Sequence, residues 1–235
     1  MTAIFKRELR SYFVSPRAYA VIGIAVLFSG VLLTAFNLIS LSPSLNYLCE
    51  EMKLIYAIIT PVLASALISG EIKSGRYRLL FSLPVKSSRI VLGKYLAMMT
   101  VLLIPTVIIA VYPLILSLFG EVNLGEAYLS VLGLFVFQTA IGAICVFISS
   151  ALKKTVTAAV ISYILLVCLF GIDLLGALLP MGGSLGYFIS TVSLFGAAES
   201  IGYGLFDYLA LIYSALVTVA FLALSVSGLD KRRYE

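Results

Sequence analysis

Charge-free apolar runs alternate with short charged segments along this 235-residue chain, and each run is long enough to cross a bilayer as a helix. The first lies within Ala18–Cys49, about Tyr19 to Leu38. Leu54–Gly70 is a shorter second, with Pro61 inside it. Tyr95–Gly120 holds Pro105 and Pro113. Ala127–Leu152, Thr155–Leu179 and Tyr208–Leu229 complete a set of six. Proline inside a span predicts kinks that neighbouring helices support in lipid.

Two segments outside the runs have patterns of their own. In the first sixteen residues Phe5, Leu9, Tyr12 and Phe13 recur at helical spacing, with Lys6, Arg7 and Arg10 on other faces. That pattern predicts an amphipathic helix in the membrane interface, anchored by those three cations. Ser15-Pro16 ends it and suits the cap and first turn of the next helix. Residues 180–207 follow the fifth run. Within them Leu185–Ala198 is charge-free but only fourteen residues long, between Pro180-Met181-Gly182-Gly183 and Glu199. Too short to span, it reads as a re-entrant or surface-lying hairpin. Gly182–Gly186 lacks the lysine and strand context of a phosphate loop and reads as a turn or hinge.

Composition agrees with the runs. Hydrophobic residues make up 62% of the chain and charged ones 11%, against about 25% charged in a soluble domain. No stretch is left over for a soluble domain, and no cleavable leader is evident at the N-terminus. The chain reads as one membrane domain over residues 1–235. With the N-terminus inside, fifteen of the sixteen basic residues face the cytoplasm and only Lys53 falls outside. The reading is a multi-pass protein of the cytoplasmic (inner) membrane with both termini cytoplasmic.

Candidate chemistry is sparse. The absence of histidine removes His-based triads and metal sites. Cys49, Cys145 and Cys168 have no ligand spacing and read as small packing residues. No motif binds a metal or cofactor, and no basic stripe suits nucleic acid. Asp173 inside the fifth run is either an interfacial carboxylate or part of a translocation path. Gln138 in the fourth run is open to the same two readings, as an interhelical hydrogen-bonder or a path-lining group.

Residues 70–94 are different. Lys73, Arg76, Arg78, Lys86, Arg89 and Lys94 share this stretch with Leu79-Leu80 and Leu83-Pro84-Val85, and a short helix is bounded by Ser74-Gly75 and Pro84. Positive-inside charge accounts for the cations but not for the apolar helix among them. The mixture is that of a protein-docking surface.

Glu71-Ile72-Lys73-Ser74-Gly75, Leu79-Leu80, Leu83-Pro84-Val85 and Ile90-Val91-Leu92-Gly93-Lys94 resemble the first cytoplasmic loop of type-2 ABC transporter permeases, and in particular the gliding-motility (GldF-like) branch. The opening Ile4–Phe13 with Ser15-Pro16, and the tail from Phe188 through Phe206-Asp207 to Lys231-Arg232-Arg233, are similar to that branch too. Where the family pattern has two acids, Gly-Thr and a further Glu, this chain has Gly70, Arg76 and Arg78 at the first acid, the Thr and the last Glu. The resemblance implies an all-α protein of six transmembrane helices, with an N-terminal elbow helix, a cytoplasmic coupling helix between spans two and three, and an external re-entrant hairpin between spans five and six. It implies a permease subunit without its own catalytic site, most consistent with an exporter. It would pair with a second copy or a sister permease above two ATPase subunits that bind ATP and Mg. Glu71, Lys73, Gly75, Arg76, Arg78, Leu79, Leu80 and Pro84 would meet the ATPase, and the more basic loop implies a more acidic ATPase groove. Lys6, Arg7 and Arg10 would anchor the elbow and contribute to that interface. Mechanical work on the envelope without net export is the alternative within the same class. An ion-driven carrier is the alternative outside it, and it suffers from having Asp173 as its one intramembrane ionisable candidate.

Overall fold

Apolar residues on one side of each long run pack helix against helix, and the result in a computed structural model is an all-α bundle. The structure describes residues 2–39, 44–73, 86–118, 120–178, 194–196 and 207–234, with the side chains of 73, 175–178 and 232–234 excepted. Helix α1 (Thr2–Val14) is followed at once by α2 (Pro16–Leu32), which continues as a π-helical stretch, Leu33–Ile39. Next come α3 (Asn46–Ser65) and the short α4 (Ser69–Lys73). α5 (Ser87–Ile109) and the short α6 (Tyr112–Leu116) lead to α7 (Leu124–Ala151), α8 (Thr155–Leu178) and α9 (Tyr208–Tyr234). Six stretches are long and apolar enough to cross a membrane: Pro16–Ile39, Asn46–Ile72, Ser87–Leu116, Leu124–Ala151, Thr155–Leu174 and Tyr208–Lys231.

Local chemistry sets the boundaries. The Ser15 hydroxyl accepts from the Arg17 amide and Pro16 takes the first helical position of α2, so the chain turns between α1 and α2 without losing a backbone bond. Asp207 caps α9, accepting from the amides of Leu209 and Ala210. Prolines 61 and 105 sit inside α3 and α5, and both helices break a few residues further on.

Two helix starts differ from the sequence reading. The second span begins at Asn46, not Leu54, because Leu48, Cys49, Met52 and Tyr56 continue the buried face of α3 through the charged stretch. Glu50, Glu51 and Lys53 are therefore helical rather than part of an external loop. The third span begins at Ser87, so Ile90–Lys94 form its first turns, with Ile90, Val91, Gly93 and Lys94 buried. Burial of Ile90, Val91 and Lys94 against the bundle overrides the loop reading given to residues 87–94 by their charge.

The second, third and fourth spans (α3, α5 and α7) form the core. The windows of α2, α8 and α9 are mostly exposed, as lipid-facing or partner-facing helices would be. α7 lies between α3 and α9, and Gly142 brings it close to α5: a Cβ there would stand 3.0 Å from Met98 Cε and 3.2 Å from Met99 Sδ. Of the segment between the fifth and sixth spans, residues 194–196 are described. Leu194 and Phe195 are buried, and the Phe195 ring meets Phe137 and Phe170 edge-on at 4.8 and 5.4 Å. The remainder of the expected hairpin at 180–207, apart from Asp207, lies outside the described residues.

Hydrogen bonds fix which helix ends lie together. Ser87 at the start of α5 bonds Asp230 near the end of α9, and Ser69 of α4 bonds Thr155 at the start of α8. The elbow α1, Lys153-Lys154 and Lys231 thus gather at one end of the bundle. At the other, the Ser130 hydroxyl of α7 donates to Asn46 of α3, and Glu121 and Glu126 line a cavity with Ser44 and Asn46. The basic and acidic ends are separated by the length of the spans.

Candidate functional site

At the basic end, three pieces of chain distant in sequence are joined by charge. Lys94, in the second turn of α5, is 1% exposed, and its ammonium has three acceptors. They are Glu8 Oε1 of α1 at 3.1 Å, Glu71 Oε2 of α4 at 3.0 Å and the backbone carbonyl of Leu67 at 2.9 Å. An ammonium has three donors, so it is fully used. Arg7 closes the circuit: its Nη2 donates to Glu8 Oε1 at 2.7 Å and Glu71 Oε1 at 2.9 Å. Two cations and two carboxylates make a neutral cluster, which is how a charge can stay buried at this depth. Glu8 and the adjacent Glu71 hold the Arg7 guanidinium above its ordinary pKa, against an opposing effect of burial.

The Leu67 carbonyl is available because α3 ends at Ser65 and the chain turns through Ala66–Ile68 before α4. The amides of Ile68 and Ser69 point instead to Ser149 of α7, whose hydroxyl accepts from both at 3.2 Å and donates to Ser65 O at 3.0 Å. The Ser69 hydroxyl also bonds Ser65 O. The break in the second span is thus held by a serine of the fourth span and a lysine of the third. α4 is thereby fixed to the bundle.

Residues assigned from sequence are placed differently. Glu71 and Arg7 come together in the cluster, and Lys6 and Arg10 are exposed on α1. Lys73 has a described backbone in α4. Gly75, Arg76, Arg78, Leu79, Leu80 and Pro84, and with them the expected coupling helix, lie outside the described residues. Gln138 is fully buried in α7 and pairs with Thr106 of α5, its Nε2 donating to Oγ1 at 3.0 Å. The Tyr56 hydroxyl of α3 lies 3.2 Å from the same Thr106 oxygen, so one polar node ties the three core helices in mid-span. Asp173 is half-buried on α8.

Sequence reading did not single out Glu8 or Lys94 as partners, nor Lys53 as buried. Lys53 is 2% exposed, its ammonium 2.6 Å from Glu50 Oε1 and 5.9 Å from the centre of the Phe137 ring. Asp173 is therefore not the one ionisable residue within the span helices. A signal for Lys94 was present, a lone cation between Ile90-Val91-Leu92 and Tyr95-Leu96-Ala97, where every solvated neighbour is missing. Its partners are separated from it by 86 and 23 positions, and no spacing rule links them. Among the described residues no group of three or more Asp, Glu or Cys is placed to hold a metal ion.

A helical bundle with six spans, a buried three-helix core and charge gathered toward its two ends defines a polytopic membrane protein. Residues 3–178 match the family model described as ABC-2 family transporter protein, which covers the elbow and the first five spans. The chain belongs to the ABC-2 family of transporter proteins. No curated relative matches it.

Proposed function

We propose that this chain is the membrane subunit of an ATP-driven exporter, paired with a second transmembrane subunit above two separate ATPase subunits. ABC-2 membership supports a permease role, and the Lys94 cluster is the observation that carries the coupling. Residues 74–85 connect α4 to α5 along the chain. Both of those anchor points are held by one cluster, Glu71 on the outgoing side and Lys94 on the returning side. A force applied to the intervening segment would be delivered to the second and third spans together, and through Glu8 to the elbow. Spans tied in mid-membrane by Tyr56, Thr106 and Gln138 would move as a unit.

In this reading Lys73, Arg76, Arg78, Leu79, Leu80 and Pro84 present the ATPase-facing surface, with Gly75 giving the turn. Glu71 holds that surface from inside rather than facing the ATPase alone. ATP and Mg belong to the partner, whose nucleotide-driven closure would supply the force. The gliding-motility branch, suggested by Ile4–Phe13 and Glu71–Lys94, would make envelope work the task instead of net export.

Affinity purification from native membranes tests the reading, with wild type compared with the double variant Arg76→Glu, Arg78→Glu. An ATPase that co-purifies with wild type and is lost from the variant supports it. Recovery of no ATPase with either would sink it.

A further inference from the structure

A recess of about 80 Å³ lies between the elbow and the second span, beside the turn into the first. Its polar wall carries Glu8, Ser11 and Arg17, and Leu63, Ala66 and Leu67 form an apolar wall. Among the described residues neither the Arg17 guanidinium nor the Ser11 hydroxyl has a hydrogen-bond partner. Glu8 uses Oε1 for Arg7 and Lys94, and its Oε2 has no partner among the described residues. Tyr12 occupies the floor, its hydroxyl donating to Leu63 O at 3.3 Å. Burial raises the Tyr12 pKa, Glu8 adds to the rise and the Arg17 cation opposes it.

We propose that this recess binds the headgroup of a zwitterionic aminophospholipid. The phosphate would sit on Arg17 and Ser11, and the ammonium on Glu8 Oε2. Three features point to that occupant. A free cation and an open carboxylate oxygen line one small space, which matches a molecule carrying both charges a few bonds apart. The recess lies where the first span begins at Pro16, the level at which headgroups sit. Beyond it the exposed apolar side chains of α2, among them Ile24, Leu27 and Val31, offer a path for acyl chains. Because Glu8 also bonds Lys94, an occupied site would bear on the cluster that holds α4 and α5.

Native mass spectrometry of the full chain in mild detergent tests this, with titration by phosphatidylethanolamine, by phosphatidylglycerol and by inorganic phosphate. The expected result is a retained phosphatidylethanolamine adduct. Arg17→Ala should weaken it roughly tenfold, in line with the loss of one charge-assisted hydrogen bond, while Arg17→Lys keeps most of it. Ser11→Ala should weaken it less and in the same direction, which gives a reading independent of Arg17. Phosphatidylglycerol, with no ammonium for Glu8, should bind more weakly, and millimolar phosphate should not displace the lipid. Equal binding by wild type, Arg17→Ala and Ser11→Ala would overturn the proposal. So would equal binding of the two lipids, or displacement by phosphate, which would mark a simple anion site.

Discussion

Lys94 Nζ stands 3.0 Å from Glu71 Oε2, bridging the start of the third span and the chain leaving the second, and the lysine is all but inaccessible to water. The pair brackets residues 74–85, the segment proposed above to meet the ATPase. Its burial makes it stiff: each partner's removal strands the other in a low-dielectric site.

Removing one member should therefore cost more than removing the set. Lys94→Met leaves Glu8 and Glu71 facing each other with only Arg7 between them, and should destabilise by ~3–5 kcal/mol. The triple variant Lys94→Met, Glu8→Gln, Glu71→Gln should recover much of that, because the one charge left of the cluster, Arg7, is half exposed and can be solvated. Thermal unfolding in detergent, followed by circular dichroism, separates the two cases. Equal losses in single and triple variants would show that packing rather than charge holds the junction.

Ser149→Ala should loosen the break in the second span. It deprives the Ile68 and Ser69 amides of their acceptor, at a cost of about 1–3 kcal/mol for buried donors. Hydrogen exchange should speed up at those two amides first, with the amides of α7 itself little changed. Protection unaltered at both positions would remove Ser149 from this role.

Gln138→Leu tests the mid-span node. Thr106 and Tyr56 keep each other, so the loss should be small, about 0.6 kcal/mol by the average for such bonds in membranes. Transport measured in vesicles should then fall little. A loss of transport with stability intact would instead place Gln138 on the path of the cargo.

Close approach of α7 to α5 at Gly142 sets a limit on side-chain size. Gly142→Ala meets only the movable ends of Met98 and Met99 and should be tolerated. Gly142→Leu overfills the gap, and a loss of about 1–3 kcal/mol should appear as a lowered melting temperature.

Orientation is open to chemical labelling. In a background with Cys49, Cys145 and Cys168 replaced by alanine, Lys154→Cys should react with a water-soluble maleimide only from the cytoplasmic side. Glu121→Cys should react from the outside. The reverse pattern would invert the topology argued from basic residues.

Helix number, class and the N-terminal helix that stops at Ser15-Pro16 were legible in the sequence, because lipid imposes long apolar runs and a cap works within a few residues of itself. Helix starts were less legible. Charge at Glu50, Glu51 and Lys53 masked a buried face that continues through Leu48, Met52 and Tyr56, and charge at Arg89 and Lys94 made the first turns of α5 look like loop. Such signals conflict locally, and only packing against α7 and α1 resolves them.

The sequence by itself determined that the chain fills a membrane with six helices and keeps basic residues to one end, since both follow from what hydrocarbon excludes. Which charges meet was decided only in three dimensions. Lys94 finds Glu8, Glu71 and the Leu67 carbonyl because α1 folds back on α5 and the second span breaks beside it. An ion pair depends on distance in space, and the steep cost of burying a charge alone leaves that arrangement, with Arg7 as the second cation, as the one in which both carboxylates and Lys94 are paired.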